Sequence, residues 1–339
     1  MSTPVPSNWA VFITQANTMV REAWSSAPID YPAYTTSVTL DGASQWEDGW
    51  IGRMPTPRVW SGPRLVREPN PQTYIAVPEP FELTYGIDKF KHDDDGYGVF
   101  YPLLIDFALQ TKRFPEFQLR DFLEASGAWS SGSVQAGLDG LSNFNTAHKT
   151  NIYSTAASSL ATGTTYCNDF TGGGQSVNGV TVGGAFSVTS LLTMVEYAAT
   201  VRAEDGERLH ITPSLVMHPS TLRAEVDYVL NNQLAAASVG FTTWGAAQTQ
   251  VGATDNVVKR MGIGSVENKY LASATKFYVM DTTKSVKPLR AIWREAFDIV
   301  PLINPTDQNV FALHYYVWGG HARFCPAWSP AWLMYRSGP

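Results

Sequence analysis

One histidine and three aspartates follow one another at His92, Asp93, Asp94 and Asp95. Carboxylates and imidazoles are ligands for divalent cations, so this segment is the first candidate for a metal site. An EF-hand loop also needs a glycine and a distal glutamate at fixed offsets, and neither stands at the required position. The segment does precede a predicted helix, whose N-terminus favours negative charge. We therefore interpret it as an acidic turn before a helix and predict no metal site.

The other histidines also lack a metal-binding spacing. The sequence contains neither an H-E-x-x-H motif nor a pair of histidines four positions apart, which would place two imidazoles on one helix face. We predict no zinc site from them. These five histidines are His148, His210, His218, His314 and His321.

Motifs for nucleophilic catalysis and for phosphate binding are missing as well. No G-x-S-x-G elbow occurs, and neither Cys167 nor Cys325 has a catalytic context. Their spacing favours two reduced thiols over a single disulfide. The glycines at 172–174 and 183–184 belong to neither of the two common phosphate-binding motifs, so we interpret them as loops. The sequence predicts no catalytic, cofactor-binding or metal-binding residues, and we do not expect an enzyme.

The composition limits the classes of partner. The 339 residues suffice for one elaborated domain or two joined ones. The net charge of −6 argues against tight binding of nucleic acid, which proteins achieve by neutralising phosphates. We find no basic and apolar N-terminal signal and no run of about 18 apolar residues, so we expect neither a signal peptide nor a membrane span.

Two long segments are almost free of charge. Asp169 is the one charged residue between Lys149 and Glu196, and residues 232–254 contain none. Soluble monomers normally cover their surface with charge. These segments therefore favour surface that meets other protein, and flexible loops are the alternative.

The tryptophans and tyrosines allow two interpretations. Eleven tryptophans and fifteen tyrosines could form a sugar-binding face. They are dispersed along the chain, however, and this favours packing in a core and in interfaces.

Periodicity predicts the elements that would position such surfaces. Residues 8–26 form an amphipathic helix with Ser7 as N-cap, and residues 31–62 form an irregular arm rich in tryptophan. Residues 64–90 form a β-hairpin with its tip at 69–71.

The rest of the chain contains short strands and helices. A helical region follows the acidic turn and starts a second helix at Pro115, and residues 127–186 are weakly patterned. Because the predicted strands are distant in sequence, the class is α+β. The later predicted elements are helices from Ser187 to about Arg202 and after His218, strands at 211–217, 257–263, 275–281, 310–324 and 331–335, and a loop at 232–254.

Several of these residues together resemble a known family, the Mu-like prophage major head subunits. A tryptophan-glycine arm, a strand with a Phe-Glu pair and an acidic turn occur in the same order. A downstream motif is similar too, and the last strand, 316–323, is of the type found in the wider Hong Kong 97-type capsid fold. The matching residues are Trp50-Ile51-Gly52, Pro55, Arg58, Trp60, Gly62, Arg64, Tyr74, Phe81-Glu82-Leu83-Thr84, Ile87, Asp94-Asp95-Gly96-Tyr97-Gly98, Asp139-Gly140 and Phe144-Asn145-Thr146-Ala147-His148.

The resemblance implies a Hong Kong 97-type fold with a long spine helix. It implies five segments: an N-terminal arm at 1–62, an extended β-hairpin loop at 63–92, a peripheral domain with the spine helix at 93–186, an axial domain at 187–309, and return strands of the peripheral domain at 310–339.

The resemblance also implies a function and a set of partners. The chain would be a major capsid protein that forms hexamers and pentamers of itself in an icosahedral shell enclosing double-stranded DNA. It would be assembled in the host bacterial cytoplasm and become part of the virion. A separate scaffold, a portal and decoration proteins are the expected partners, without a membrane. The alternatives are a phage tail or decoration protein and a tryptophan-rich carbohydrate-binding protein.

Overall fold

The computed structural model describes residues 8–50, 72–94, 100–125, 137, 139–149, 165–177, 180–203, 206–243, 246–304 and 306–339. Helices and strands are mixed along the chain, and the sheets join strands distant in sequence, which confirms the predicted α+β class. The first elements are α1 (Asn8–Ser26), β1 (Thr35–Thr39), β2 (Trp46–Trp50), β3 (Gln72–Ala76), β4 (Glu79–Asp88), α2 (Lys89–Asp93) and α3 (Phe100–Glu124). The next are β5 (His148–Lys149), β6 (Thr165–Tyr166), β7 (Asp169–Thr171), β8 (Gln175–Val177), β9 (Val180–Val182), α4 (Val188–Thr200), β10 (Leu215–His218), α5 (Arg223–Asn231), β11 (Leu234–Thr243) and β12 (Ala246–Asp255). The last are α6 (Val257–Met261), β13 (Gly264–Glu267), β14 (Phe277–Met280), β15 (Leu289–Leu302), α7 (Gln308–Leu313), β16 (Tyr315–Trp328) and β17 (Met334–Gly338).

The N-terminal helix is confirmed, and its apolar face packs within its own chain. Ala16 and Val20, one turn apart, are buried against α3 and Trp318. The sequence left open whether this face meets its own domain or a neighbour, and the structure selects its own domain. The predicted N-cap, Ser7, lies outside the described residues.

A four-stranded sheet, in the order β1-β15-β16-β4, joins β1 from the expected arm to β16 from the expected return strands through β15. β1 lies parallel to β15, and β16 lies antiparallel to both β15 and β4. The prediction of an irregular arm at 31–62 is therefore wrong for β1 and β2, and β15 was not predicted at all. Since β1 pairs with a strand about 250 residues away, no pattern local to the arm reveals the sheet.

The predicted hairpin at 64–90 has the wrong strand pairing. β4 was predicted as a strand, but it pairs with β16. β3 instead pairs with β2, in a register that runs from Trp46 opposite Ala76 to Trp50 opposite Gln72. Alternation of polar and apolar residues identifies a strand without identifying its partner. The predicted tip at 69–71 lies outside the described residues.

The long helix α3 continues through Pro115, so the prediction of a second helix starting there is wrong. Proline supplies no N–H for the carbonyl group four residues earlier, at Thr111. The helix is retained because Leu104, Leu119 and Phe122, on both sides of the proline, are completely buried. Tertiary packing here outweighs local propensity.

A five-stranded sheet, in the order β13-β10-β14-β17-β7, is buried on both faces. In β14, Phe277 and Val279 point into a core covered by α4, α5 and α6. Tyr278 and Met280 point the other way, into a core shared with the C-terminal half of α3 and the base of the four-stranded sheet. The two sheets therefore share one hydrophobic core.

Three helices cover this sheet, and the sequence predicted two of them, α4 and α5, as helices. Ser187 caps α4 with Ser190 in a capping box, and a short turn followed by α5 comes after His218-Pro219, both as expected. The strand predicted at 257–263 is instead α6 and the two residues that lead to β13. Asn256 caps α6 and Gly262 ends it in the left-handed conformation, at φ 67°.

Two further segments differ from expectation. The uncharged loop predicted at 232–254 is an antiparallel ribbon, β11–β12, with Leu234 opposite Asp255. The strand predicted from residue 310 begins at Tyr315, because α7 comes first and ends at His314, which has φ 52°. Within the part of the chain that the structure describes, no helix has the length and apolar character needed to cross a membrane.

The bulged strand β15 produces a close backbone approach that can be tested. Its register shifts between Glu295 and Asp298, and a Cβ at Gly320 would overlap the Asp298 carbonyl group. We expect Gly320→Ala to lower the free energy of unfolding by about 2–3 kcal/mol, measured by urea denaturation, because backbone cannot move aside as a side chain can.

Gly319→Ala is the matched control for this substitution. Its Cβ would meet the Thr84 hydroxyl at 3.0 Å, a side-chain contact that can adjust. We expect a cost below about 1 kcal/mol. Equal costs for the two substitutions would contradict the assigned register.

Candidate assembly site

The β2–β3 ribbon has a rigid base on the shared core. Ala76, opposite Trp46 in the ribbon, is completely buried. The Arg290 guanidinium lies 4.4 Å from the centre of the Trp46 ring and is itself buried. Such a cation–π contact is strongest where the cation is desolvated. Trp46 therefore fixes the ribbon to β15.

The Phe81-Glu82 pair, which resembles the family, faces both sides of the four-stranded sheet. Phe81 packs on Phe114 of α3, with ring centres 5.2 Å apart. Phe114 also makes an edge-to-face contact with Phe324 of β16, at 5.5 Å. Glu82 points to the opposite, exposed face and accepts a hydrogen bond from the Thr84 hydroxyl at 3.1 Å. The pair thus combines core packing with surface charge.

Polar contacts hold the N-terminal helix in place. The indole N–H of Trp318 donates to the Asn17 side chain at 2.8 Å, which satisfies the polar group of a tryptophan that is only 1% exposed. The Lys112 amino group lies 4.9 Å from the Trp24 ring centre. α1 is therefore part of the folded subunit.

The downstream motif forms a buried ion pair. The Nδ1 atom of His148 lies 2.6 Å from an oxygen of Asp139, and its Nε2 atom lies 2.9 Å from the carbonyl oxygen of Asn143. Both partners are acceptors, so the ring donates to both only when each nitrogen carries a proton. The two contacts therefore hold the ring of His148, a fully buried residue, in one orientation against Asp139.

Asn168 connects this motif to the end of the chain. Its side chain is fully buried and donates to the carbonyl oxygens of Asn143, Ala331 and Met334. The backbone carbonyl oxygen of Asn168 accepts a hydrogen bond from the backbone N–H of Arg336 at 2.8 Å. Sequence reasoning missed Asn168, because its partners are up to 166 residues away.

A second ion pair extends the network. The Arg336 guanidinium donates to both carboxylate oxygens of Asp169, at 2.6 and 3.2 Å. It also lies 4.4 Å from the ring centre of Phe144, a residue of the downstream motif. Asp169 is the single charged residue of the long neutral segment, and its role is to bind Arg336 across the β17–β7 pair.

The network shifts the acidity of its carboxylates. Burial alone would raise the pKa of Asp139, but the hydrogen bond and positive charge of His148 and two backbone N–H groups hold this pKa below its ordinary value. Burial likewise opposes the Arg336 contacts at Asp169, and the pKa of Asp169 is also lowered. By contrast, burial raises the pKa of Glu116, which accepts the backbone N–H of Asp30.

The other candidate residues do not converge on one site. Among the described residues, no three His, Cys, Asp or Glu side chains are grouped as metal ligands would be. His92 and Asp93 lie in the last turn of α2, whereas Asp95 is outside the described part. Cys167 and Cys325 are buried thiols.

The remaining histidines are dispersed as well. His218 faces the carbonyl oxygen of Pro219, His314 ends α7, and His321 contacts Glu295. His210 has φ 49° in the connection before β10. The glycines at 172–174 and 183–184 have positive φ and lie in turns beside β8 and β9.

We expect Asp139→Asn to lower the free energy of unfolding by about 3–5 kcal/mol at neutral pH, because it removes the carboxylate that contacts the fully buried His148 at 2.6 Å. Asp121→Asn is the matched control, since Asp121 pairs with Arg120 and its side chain is 55% exposed. We expect less than about 1 kcal/mol there. Urea denaturation measures both values, and similar losses would contradict the buried-pair assignment.

The pH dependence has a defined sign. A carboxyl group whose pKa is lower in the folded than in the unfolded state stabilises the protein above the unfolded value, near 3.9. That stability is lost as the pH falls through the folded pKa. Wild type should therefore lose stability on acidification below about pH 5, and the Asp139→Asn variant should lose less over the same range. Parallel pH profiles would contradict the lowered pKa of Asp139.

Known proteins are similar to this chain in sequence and in fold. A family described as Mu-like prophage major head subunit gpT matches residues 10–176 and 240–337. A 55-residue segment is 33% identical to the major capsid protein of Escherichia phage Mu; it makes up 16% of this chain and 18% of that relative's length.

Two solved structures have a similar fold. The bacteriophage JBD30 procapsid aligns with a TM-score of 0.51 and 18% identity, over 99% of this chain and 76% of that chain. The JBD30 capsid decorated with minor capsid protein trimers aligns with a TM-score of 0.51 and 17% identity, over 73% of this chain and 92% of that chain. With a Hong Kong 97-type capsid fold and a family match that covers most of its length, the chain belongs to the Mu-like prophage major head subunit family.

Proposed function

We propose that the chain is the major capsid protein of a tailed bacteriophage, a structural subunit and not an enzyme. The observation that carries the proposal is the β2–β3 ribbon, which in the described part of the structure pairs with no third strand. An isolated two-stranded ribbon is marginally stable in water and gains stability when it docks on another surface. Copies of the same subunit supply that surface in a shell.

The proposed division of the chain follows the two sheets. The four-stranded sheet with α1 and α3 would belong to the peripheral domain, and residues 187–309 would form the axial domain around the five-stranded sheet. Residues 310–339 would return to the peripheral domain. Strand β17, however, pairs with β14 and β7, so we propose that the return segment joins both domains.

The proposed assembly consists of hexamers and pentamers in an icosahedral shell that encloses double-stranded DNA without reading its sequence. The net charge of −6 supports enclosure without tight binding. Assembly in the host cytoplasm with a separate scaffold, a portal and decoration proteins completes the proposal, and the virion is the final location.

The described aromatic residues favour this proposal over sugar binding. Trp318 and Trp328 are only 1% and 3% exposed, and Trp293 packs on Phe324 at 4.8 Å. These rings therefore pack in the core and are not available to bind a sugar. A tail or decoration protein is the other alternative, and particle shape distinguishes it.

We expect the purified full-length chain, alone or with its neighbouring gene products, to form closed shells or rings of five and six. Sedimentation and negative-stain electron microscopy measure this. Tubes or isolated small oligomers would favour a tail or decoration protein, and a monomer under all conditions would contradict the proposal.

A variant with a shortened β2–β3 ribbon tests directly whether shell assembly needs the ribbon. Trp50 and Gln72 are directly opposed, so an Asn-Gly turn can replace residues 51–71 and close the hairpin. We expect this variant to keep the secondary structure and thermal stability of wild type and to form no shells. Shells of normal size from the variant would show that the ribbon is not needed.

A further inference from the structure

The short helix α7 presents an aromatic side chain that makes little contact with its own chain. Phe311 is 81% exposed, and Leu313 on the same helix is 69% exposed. Val310, next to Phe311, is only 5% exposed and packs in the cluster that contains Ala16 of α1 and Leu104 of α3. α7 is therefore anchored through Val310 while Phe311 points into solvent. Aromatic side chains on anchored elements are enriched in protein interfaces.

Hydrogen bonds fix the orientation of α7. The side-chain amide of Asn309 donates to the carbonyl oxygen of Leu302 at 3.1 Å and to that of Tyr315 at 2.8 Å, so it connects the end of β15 to the start of β16. The carboxylate of Asp307 accepts the backbone N–H of Asn304 at 2.8 Å. Because the helix is held before any partner arrives, docking through Phe311 costs little conformational entropy.

A cavity of matching chemistry lies between α1 and β15. Its volume is about 300 Å³, and its walls include the rings of Trp24, Phe297 and Trp318. The ring centres of Trp24 and Phe297 are 6.0 Å apart. A cavity of roughly 150 Å³ holds a benzene molecule in another protein, so this one can accept a phenylalanine ring with part of a neighbouring side chain. Aromatic walls favour an aromatic occupant, because rings attract one another in edge-to-face and offset arrangements.

The charges beside the cavity and beside Phe311 are complementary. Arg21 lines the cavity, and the Lys112 amino group lies 4.9 Å from the Trp24 ring centre. Asp298 is the acidic residue of the lining, so two positive charges and one negative charge leave a net charge of +1 there. Asp307 lies one helical turn before Phe311, and its carbonyl oxygen accepts the backbone N–H of Phe311 at 2.9 Å. An acidic group would therefore meet a basic rim.

We propose that Phe311 of one copy enters the cavity between α1 and β15 of a second copy. The proposal rests on the proposed function, because it needs subunits that meet one another. The exposed Phe311 and the cavity are different surfaces, so the contact is heterologous and repeats from each copy to the next. Such a contact closes into a ring when the rotation between copies divides a full turn, as it does in rings of five and six.

Removal of the ring tests the proposal. We expect Phe311→Ala to raise the lowest protein concentration at which shells sediment by about tenfold or more, the effect of 1.4 kcal/mol on association. The reason is that aromatic anchors seated in pockets carry much of the binding energy of an interface. Urea denaturation should give the same free energy of unfolding as wild type, because Phe311 is 81% exposed in its own chain.

Tyr228→Ala is the matched control. It removes an aromatic ring that is 47% exposed on α5, away from α7 and the cavity. We expect this variant to assemble at the same concentration as wild type. Equal losses for Phe311→Ala and Tyr228→Ala would overturn the proposal, because any exposed ring would then have the same effect.

Cross-linking identifies which copies are in contact. Arg21 and Ala312 are exposed, and both native cysteines are buried, so Arg21→Cys and Ala312→Cys each add one accessible thiol. We expect a mixture of the two variants, treated with a short bismaleimide under assembly conditions, to give covalent dimers on a denaturing gel. Neither variant alone should do so. Dimers from one variant alone, or no dimers from the mixture, would contradict the proposed contact.

The double variant Arg21→Cys/Ala312→Cys distinguishes contacts within a chain from contacts between chains. We expect a ladder of oligomers, since each chain then carries both partners of a repeating contact. A cross-link confined to the monomer would place Phe311 in its own cavity and overturn the proposal. Normal assembly of Phe311→Ala would overturn it as well, while leaving the capsid function intact. Failure of wild type itself to assemble would instead count against the proposed function.

Discussion

The structure depends on the continuity of the last two strands. β16 runs through the four-stranded sheet, and β17 follows after one short turn and lies between β14 and β7 in the five-stranded sheet. Phe324 and Trp328 of the first strand and Met334 of the second therefore contribute to the same core. Separating the sheets would expose this core to water, at about 25 cal/mol for each Å² of apolar surface. The two sheets consequently form one structural unit with a common core.

A buried polar network reinforces this junction. Asn168 and His148 satisfy carbonyl oxygens from the 143–145 loop and the turn after β16, and Arg336 binds Asp169 from β17. Buried polar groups are costly unless they are paired, so a network of this kind tolerates few alternative arrangements. Apolar packing supplies most of the stability, while the network specifies how the two sheets meet.

Local sequence patterns predicted individual helices and strands, but they did not predict which strands distant in sequence pair with each other. The 3.6-residue period found α1, and the Ser187 cap with its apolar face found α4. The same logic failed for β1 and β15, whose pairing depends on residues far apart in the chain. The downstream motif at 139–148 was recognised by resemblance, but its ion pair became visible only in the three-dimensional structure. Its contacts with Asn168 and Arg336 were not predicted, because these two residues belong to no sequence motif. The prediction that the helix is interrupted at Pro115 failed for the opposite reason. The proline is a local signal for a break, but burial of the residues on both sides outweighs it.

Assembly requires surfaces that bind one another without causing aggregation of the free subunit. A large exposed apolar face would associate in many orientations, whereas charged contacts favour one register and add little affinity each. The exposed face of the four-stranded sheet carries both kinds of group, with the Glu295–His321 contact and exposed apolar side chains at Val300 and Leu302. Because such contacts are weak individually and repeated in every subunit, a closed shell can correct misplaced copies during growth. In the proposed shell, the junction of the two sheets would hold each face in a fixed geometry while neighbours are added.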